Sequence, residues 1–374
     1  MSAIYKKLEE VCEILDSRRV PITAKNRKTG IYPYYGANGL QDYVAEYIFD
    51  DELVLLAEDG GNFGSKERPI AYRVSGKCWV NNHAHVLKAK PLVNADYLCY
   101  ALMFYDTEGL VNGATRQKLT QTAMRQMMIP YRNMTEQLQI ADEINQVIRL
   151  IDKRKEELSL LDQLVKSRFI EMFGSGRYPT VIASEVCDFI TKGTTPPTGE
   201  ITEKYEIGMI PYLKVYNLSF TGELLFDNMP QYISADTHNK QLARSKVLPN
   251  DVLMNIVGPP LGKFSLVTDE FSEWNINQAI AIFRAKDRVL PRYLMAALMQ
   301  PNVLRPFLEQ AVGIRQLNLS LEQCRNLEFP LPPIEEQRAF VELSEQTDKS
   351  KYLFYCLEYI RNNFNAMLEF YMGG

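Results

Sequence analysis

The segment Tyr97-Leu98-Cys99-Tyr100-Ala101-Leu102-Met103 occurs again, with two changes, as Tyr293-Leu294-Met295-Ala296-Ala297-Leu298-Met299. Other phrases repeat in the same order: Glu10-Val11-Cys12-Glu13 as Glu185-Val186-Cys187-Asp188, Gly113-Ala114-Thr115-Arg116-Gln117 as Gly313-Ile314-Arg315-Gln316, and Pro130 with Glu136-Gln137 as Pro330 with Glu336-Gln337. This period is too long for a solenoid repeat. The sequence therefore predicts two diverged copies of one domain and its connector, 1–174 and 175–374, related by pseudo-two-fold symmetry.

Length and composition indicate a globular chain. The 374 residues correspond to two or three domains, and the hydrophobic fraction of 46% is enough for packed cores. No apolar run approaches the length of a membrane span, and the N-terminus lacks the apolar stretch of a signal peptide. The six cysteines are scattered without Cys-x-x-Cys pairs, which favours a reducing, cytoplasmic location.

The charge distribution excludes a simple basic nucleic-acid coat protein. The net charge is −4, and the two large segments 1–130 and 174–332 are each close to neutral. Phosphate contacts would therefore come from local clusters, such as Lys25-Asn26-Arg27-Lys28, or from a partner protein. A solvated loop is the alternative interpretation of that cluster.

Each repeat begins with a segment of mixed character. Apolar runs at 53–57 and 252–257 predict buried strands, and each is followed by a glycine-rich turn, at 59–64 and 258–263. Short amphipathic helices are expected at 97–105 and 293–299. We therefore expect two α+β domains, at 1–133 and 174–333.

Each repeat ends in a heptad pattern. Apolar residues follow a 4-3 spacing through 134–173, with no Gly or Pro, and a weaker matching stripe runs through 334–374. Two long helices are predicted, and they are expected to pack antiparallel as a coiled coil; the alternative is that each helix caps its own domain. The expected packing residues are Ile144, Val147, Ile151, Leu158, Leu161, Val165, Phe340, Leu343, Phe354, Leu357, Phe364 and Leu368.

Sequence signatures of catalysis are missing. Amino methylation of a base needs Asp/Asn-Pro-Pro-aromatic, whereas the nearest string is Gly258-Pro259-Pro260-Leu261. None of the lysines has Asp or Glu two residues before it, as a common nuclease site would require, and no Walker A phrase occurs. His83 and His85 would share one face if both lay on a strand. However, no third ligand lies nearby in sequence and His83 aligns with Gln278 of the second repeat, so no metal site is expected.

The order of domain, long helix, domain and long helix resembles the DNA specificity subunit of type I restriction–modification systems. The phrases Gly-x-x-Arg-Gln in the first repeat and Gly-x-Arg-Gln in the second are similar to that family, and so is Pro…Glu-Gln in both. Lys192–Pro196 and Tyr212–Leu218 are similar to it as well. The first repeat departs from it, since its counterpart of Lys192–Pro196 is Ser17-Arg18-Arg19-Val20-Pro21.

The resemblance implies a non-catalytic subunit of an adenine-N6 DNA methyltransferase and endonuclease. Each domain would be a target recognition domain that reads half of a bipartite, asymmetric site in double-stranded DNA. The paired helices would set the spacer and dock two methyltransferase subunits, with restriction subunits joining the complex. No cofactor is expected in this chain; S-adenosylmethionine, ATP and magnesium are expected in the partner subunits.

The candidate DNA-contacting residues carry amide, hydroxyl or cationic side chains in loops and turns. They are Lys25, Arg27, Lys28, Asn38, Asn62, Lys66, Arg68, Arg116 and Gln117 in the first repeat, and Lys192, Thr194, Thr195, Lys214, Asn217, Asn255, Lys263, Arg315 and Gln316 in the second. The Arg-Gln pairs occur in both repeats, which favours a role in the fold or at the DNA backbone.

Two other functions are compatible with the same sequence. The chain could be a coiled-coil scaffold that does not read DNA, or the recognition part of a fused restriction–methylation enzyme. Sequence-dependent DNA binding separates the first of these from a specificity subunit.

Neutral domains predict that the chain alone binds DNA weakly, because counterion release requires many cationic phosphate contacts. We expect micromolar or weaker binding of a duplex at physiological salt, with a large gain when the methyltransferase partner is added. Fluorescence anisotropy with the chain alone and with the complex measures both values. Nanomolar, sequence-specific binding by the isolated chain would contradict this prediction.

Overall fold

A computed structural model describes residues 4–113, 116–197, 199–313, 317–353 and 356–372. The chain forms two compact units. The first unit comprises Met1–Lys155 together with Tyr355–Gly374, and the second comprises Glu156–Phe354. Each unit therefore contains its own mixed body and part of the helix Met134–Phe173.

The first unit is built on an antiparallel and parallel sheet. Its strands are β1 Ile4–Lys7, β2 Cys12–Ile14, β3 Thr29–Gly36, β4 Gly39–Val44, β5 Phe49–Ala57, β6 Ala71–Val80, β7 Ala84–Ala89, β8 Val111–Asn112, β9 Lys118–Leu119 and β10 Met128–Tyr131. Among the described residues, six strands form one sheet in the order β2-β7-β5-β6-β3-β4. The run 53–57, expected to be a buried strand, is the fully buried end of β5.

The second unit contains the matching strands and additional short ones. These are β11 Thr180–Ile182, β12 Cys187–Lys192, β13 Ile210–Leu213, β14 Tyr232–Ile233, β15 Lys246–Val247, β16 Val252–Asn255, β17 Val257–Gly258, β18 Phe264–Leu266, β19 Trp274–Ile276, β20 Ile280–Ala285, β21 Leu317–Asn318 and β22 Glu328–Pro330. The order β12-β20-β16-β18 corresponds to β2-β7-β5-β6, and a second sheet has the order β14-β13-β19-β15.

Helices surround the sheets and form the long connectors. They are α1 Leu8–Val11, α2 Ala95–Met103, α3 Gln121–Arg125, α4 Met134–Phe173, α5 Ala183–Val186, α6 Ala235–Asn239, α7 Pro291–Leu298, α8 Pro301–Leu308, α9 Leu321–Arg325, α10 Ile334–Leu353 and α11 Cys356–Met372. Both units are therefore of mixed helix and strand content. None of the helices in the described ranges combines the length and hydropathy that crossing a bilayer requires.

A fully buried glutamine fixes the start of α4 to the body of the first unit. Gln137 Oε1 accepts a hydrogen bond from the amide of Asn94 at 2.8 Å. Its Nε2 donates to the carbonyls of Leu92 and Arg132, at 3.1 and 2.8 Å. Asn94 is also the N-cap of α2, with its side chain accepting from the Tyr97 amide. The Gln137 side chain thus connects the beginnings of two helices, and we call this set of hydrogen bonds the joint of the first unit.

The second unit repeats this joint. Gln337 is fully buried, and its Oε1 accepts from the amide of Leu290, the N-cap residue of α7, at 2.9 Å. Its Nε2 donates to the carbonyls of Arg288 and Pro332, at 3.0 and 2.9 Å. A tyrosine hydroxyl completes each joint: Tyr97 donates to Pro130, and Tyr293 to Pro330.

In the first unit, the beginning of α4 packs against the end of α11. Ile144 is fully buried in an apolar cluster with Phe364 and Leu368, and Val147 and Ile151 pack against it. The hydroxyl of Tyr371 in α11 donates to Glu143 at 2.5 Å. Within this unit, the two helix segments therefore run in opposite directions.

In the second unit, the end of α4 packs against the beginning of α10. Phe169 and Phe173 meet Phe340 and Tyr293, with Phe169 stacked on Tyr293 at 5.5 Å between ring centroids. Burying one such ring completely stabilises the fold by about 1.5–3 kcal/mol.

The remaining helix positions named as packing residues are partly covered. Leu158, Leu161 and Leu343 are half-buried, and Val165 packs against the core of the second unit. Phe354 lies outside the described residues, and only the backbone of Leu357 is described.

Replacing either joint glutamine removes three hydrogen bonds and leaves buried backbone groups without partners. We expect Gln137→Ala to destabilise the first unit by about 2–4 kcal/mol. Chemical denaturation of the chain in a Trp274→Phe background, where Trp79 reports on the first unit alone, measures the change. Gln139→Ala is the matched control, since Gln139 is exposed and donates a hydrogen bond to Glu143 of the same helix. If Gln137→Ala and Gln139→Ala lowered the free energy of unfolding equally, the structural role assigned to Gln137 would be wrong.

Candidate nucleic-acid interface

The structure brings three of the candidate DNA-contacting residues together around one glycine turn. Gly60 follows β5, and its carbonyl accepts from Asn38 Nδ2 at 3.0 Å. Its amide donates to the carbonyl of Gln117 at 3.2 Å. Arg116, next to Gln117, reaches the same turn through Asp59 at 2.6 Å. Asn38, Arg116 and Gln117 are exposed, so this face is open to a ligand.

A carboxylate anchors the arginine of this face. Oδ1 of Asp59 accepts from Arg116 Nη2 at 2.6 Å and from His83 Nδ1 at 2.7 Å. The Asp59 side chain is only 16% exposed, whereas that of Arg116 is 60% exposed. The turn also depends on glycine: Gly60 has φ +62°, and a Cβ there would lie 3.4 Å from Arg116 Nε. The sequence predicted Arg116 as a DNA contact, but it did not predict that Asp59 and His83 lie beside it.

The basic cluster lies at the other end of the hairpin β3–β4. Lys25 and Lys28 are exposed and able to contact phosphates. Arg27 is less available because its guanidinium stacks on Tyr34, at 4.1 Å to the ring centroid, and pairs with Asp42 at 3.2 Å.

Lys66 and Arg68 lie in the loop after this turn. Both are exposed, and the carbonyl of Lys66 accepts from Asn365 of α11 at 3.5 Å. Lys66 also lines a groove of about 820 Å³ within the first unit, together with Tyr100 and Phe104. Asn62 is half-buried, and its carbonyl accepts from the amide of Ser65.

In the second unit, the loop after β12 carries another group of candidates. Lys192 and Thr195 are exposed, and Thr194 Oγ1 accepts from Arg244 Nε at 3.0 Å. The glycine between them is required, because a Cβ on Gly193 would lie 2.0 Å from the carbonyl oxygen of Asn277. Arg244 was not foreseen, since nothing in the sequence links it to this loop.

Two asparagines expected at the interface act inside the second unit instead. Asn255 is fully buried, donating to the Pro260 carbonyl at 2.7 Å and accepting from the Lys263 amide at 2.7 Å. Asn217 is likewise buried, accepting from the Lys214 amide and donating to the Leu225 carbonyl. Each amide closes a loop, so neither side chain reaches a base edge in this conformation.

The last candidates of the second unit are distributed around these loops. Lys214 and Lys263 are half-buried, and Lys263 Nζ lies 5.8 Å from the ring centroid of Phe220. Arg315 and Gln316 lie outside the described residues.

A cluster of metal-ligand type lies beneath the interface of the first unit. Ligand atoms of Asp16, Glu58 and His85 lie within 4.8 Å of one another. However, His85 Nδ1 faces the Asp16 carboxylate at 2.6 Å, and Nε2 faces the Leu119 carbonyl at 2.9 Å. Both partners only accept, so both ring nitrogens carry protons and neither has a lone pair for a metal. Arg19 pairs with Glu58 at 2.6 Å. The arrangement is therefore that of a buried ion-pair cluster.

The ion pairs of this cluster lower the pKa of its two carboxyl groups. Burial by itself raises the pKa of Asp16, but the hydrogen bond and charge of His85, with hydrogen bonds from Val86 and Gln121, outweigh it and hold the pKa below its usual range. The same holds for Glu58, where burial is outweighed by Arg19 and other cations. Both carboxylates therefore stay ionised within the fold at neutral pH.

Cys12 and Cys187 are buried and are not nucleophiles at neutral pH. Burial raises the pKa of Cys12 and that of Cys187 to about 12, so both remain thiols at neutral pH. Their equivalent places in the two repeats agree with a role as small core residues.

Comparison with known proteins indicates the family. The model described as type I restriction modification DNA specificity domain matches residues 4–160 and 180–354. A putative type I restriction enzyme specificity subunit of Haemophilus influenzae is 38% identical over 136 residues, 36% of this chain and 35% of the relative. The EcoBI specificity subunit of Escherichia coli is 24% identical over 63% of this chain and 54% of the relative. The matches thus span about a third and about half of these relatives.

The fold is also similar to that of a solved structure. The type I restriction–modification S subunit from M. genitalium aligns with a TM-score of 0.59 at 13% sequence identity. The alignment covers 98% of this chain and 96% of that one, which relates the fold along nearly the whole sequence.

The pKa of Asp16 predicts an acid-sensitive first unit. A carboxyl group with a lower pKa in the folded chain stabilises it above the unfolded pKa of about 4, and this contribution is lost as pH falls through the folded value. We expect Asp16→Asn to destabilise the first unit by about 3–5 kcal/mol at pH 7, since it removes the carboxylate from a buried ion-pair cluster. Wild type and variant should converge as the pH is lowered from 5 to 2.

Chemical denaturation at several pH values, again with Trp79 as the single reporter, tests this. The exposed Asp50 provides the control Asp50→Asn, for which little change is expected. A difference between wild type and Asp16→Asn that is independent of pH would refute the ionised pair.

Proposed function

The chain belongs to the family of type I restriction–modification DNA specificity domains, and on that premise we propose that it is the specificity subunit of such a complex. Each unit reads one half of a bipartite site in double-stranded DNA. The chain itself performs no chemistry; methylation and cleavage take place in partner subunits that bind S-adenosylmethionine, ATP and magnesium.

The observation that carries this proposal is the contrast between conserved frame and diverged loops within one chain. The joint at Gln137 recurs at Gln337 with the same three kinds of hydrogen bond. The exposed polar face at Gly60, by contrast, differs from that of the second unit in its side chains. Two domains that share one backbone frame but differ in their exposed side chains are suited to read the two different halves of an asymmetric DNA site.

The long helices support a role as a spacer. In the first unit, α4 packs against α11 through Ile144 and Phe364. In the second unit, α4 packs against α10 through Phe169 and Phe340. These contacts favour an antiparallel coiled coil, which would hold the readers on one face of the duplex. Because the joints at Gln137 and Gln337 fix each helix to its own body, the length of the coiled coil would set the distance between the two DNA-reading domains.

Neutral charge favours dependence on partners. Readers without a basic surface gain few phosphate contacts by themselves, so methyltransferase subunits bound to the helices would supply most of them. We propose two such subunits per chain, one for each repeat, with restriction subunits joining the complex.

Co-expression with a methyltransferase subunit, followed by genome-wide mapping of N6-methyladenine, tests the proposed function. We expect co-purification and one split motif with an unread gap. Association without any motif would favour a scaffold, and absence of association would overturn the assignment of the helices.

The spacer role predicts the effect of helix length. One heptad added after Lys155 in α4, with one added to the second long helix, lengthens the connector by about 10.5 Å. We expect the unread gap to grow by about three base pairs, with both half-sites unchanged.

Methylation mapping of the lengthened complex measures the gap. The control exchanges seven residues of α4 for another heptad of equal length, which should leave the gap unchanged. Retained half-sites with an unaltered gap in the lengthened protein would rule out the spacer role.

A further inference from the structure

The turn at Gly60 has a counterpart in the second unit that is built on the same backbone frame. Matching amide-to-carbonyl hydrogen bonds define the equivalence: Glu58 to His83 and Leu119 to Glu58 in the first unit, Ile256 to Ala279 and Leu319 to Ile256 in the second. His83 therefore corresponds to Ala279, one residue beyond the Gln278 given by the sequence comparison. Asp59 corresponds to Val257.

The side chains on this frame differ in a way that matters for recognition. The first unit places a carboxylate and an imidazole beside Arg116. The second unit has apolar side chains at both of the matching positions, Val257 and Ala279. The frame and the Arg-Gln pair occur in both repeats, whereas the side chains beside the arginine, Asp59 and His83, are specific to the first unit. This pattern is expected where two domains recognise different half-sites.

We propose that Arg116, held by the Asp59 carboxylate, reads a guanine in the half-site of the first unit. This proposal rests on the proposed function and identifies one base that it recognises. Arginine is the side chain most often used to read guanine, through two parallel hydrogen bonds to O6 and N7.

The geometry suits such a contact. A guanidinium has five N–H donors, and Arg116 donates one N–H of Nη2 to Asp59. His83 Nδ1 donates to the same carboxylate oxygen, so the second N–H of Nη2 and those of Nη1 are left for a base. The anchoring carboxylate is mostly covered, whereas the arginine projects from the surface. Because Asp59 holds the fork in place before binding, less side-chain entropy is lost when a base is engaged.

The neighbours of Arg116 complete a polar reading surface. The guanidinium of Arg116 lies beside Gly60, whose carbonyl accepts a hydrogen bond from Asn38. Asparagine is the usual partner of adenine, so this turn carries side chains of two reading types.

Three variants of the full complex test the proposal. Arg116→Lys keeps the charge and removes the fork, while Asp59→Asn keeps the shape and removes the anchor. The matched control is Arg125→Lys, since Arg125 also pairs with a carboxylate of the first unit, Glu9 at 3.4 Å. Each complex is mapped for N6-methyladenine, and methylation rates are measured on duplexes that carry each base pair at each position of the motif.

We expect the wild-type half-site of the first unit to contain a G·C pair. Arg116→Lys and Asp59→Asn should lower discrimination at that pair about tenfold to a hundredfold. The other half-site and the gap should be unchanged, and Arg125→Lys should behave as wild type. A bipartite wild-type motif without a G·C pair in that half, or with full discrimination in Arg116→Lys, overturns the proposal and leaves the specificity function intact. A wild-type complex with no motif overturns both.

Discussion

The rest of the structure depends on one buried amide at the start of each long helix. Gln137 and Gln337 each satisfy a helix N-cap amide and two loop carbonyls that would otherwise be buried without partners. No apolar side chain can do this, because the site needs an acceptor and two donors at fixed positions. The direction of each helix relative to its own body is therefore set by hydrogen-bond geometry, which is more directional than apolar packing.

This constraint explains which parts of the repeat stayed alike. The phrases shared by the two copies, around Tyr97 and Tyr293 and at Gln137 and Gln337, are those that build the joints. The polar positions on the turns changed between copies, as the exchange of Asp59 for Val257 shows. The two units thus share a constant frame and differ in their exposed faces.

The sequence predicts elements that depend on local pattern and fails where distant residues meet. The duplicated phrases and the 4-3 spacing were sufficient to predict the mixed domains and long helices. They were not sufficient for Asn255, because an asparagine after a strand reads the same whether it faces solvent or closes its own loop. The role of Gln137 could have been suspected, since it recurs at Gln337, but two of its three partners are over forty residues away.

The buried ion-pair cluster of the first unit shows how a frame can be specialised. Its residues Glu58 and His85 correspond to Ile256 and Ala281, as the strand pairing of Leu56 with His85 and of Met254 with Ala281 indicates. The second unit thus keeps the same strands with apolar side chains, so the fold does not require charges there. Buried ion pairs are seldom better than apolar packing for stability. What they add here is a fixed backbone position. Glu58 immediately precedes Asp59, and its ion pair with Arg19 holds this part of the backbone in place. The Asp59 carboxylate is therefore positioned to pair with Arg116.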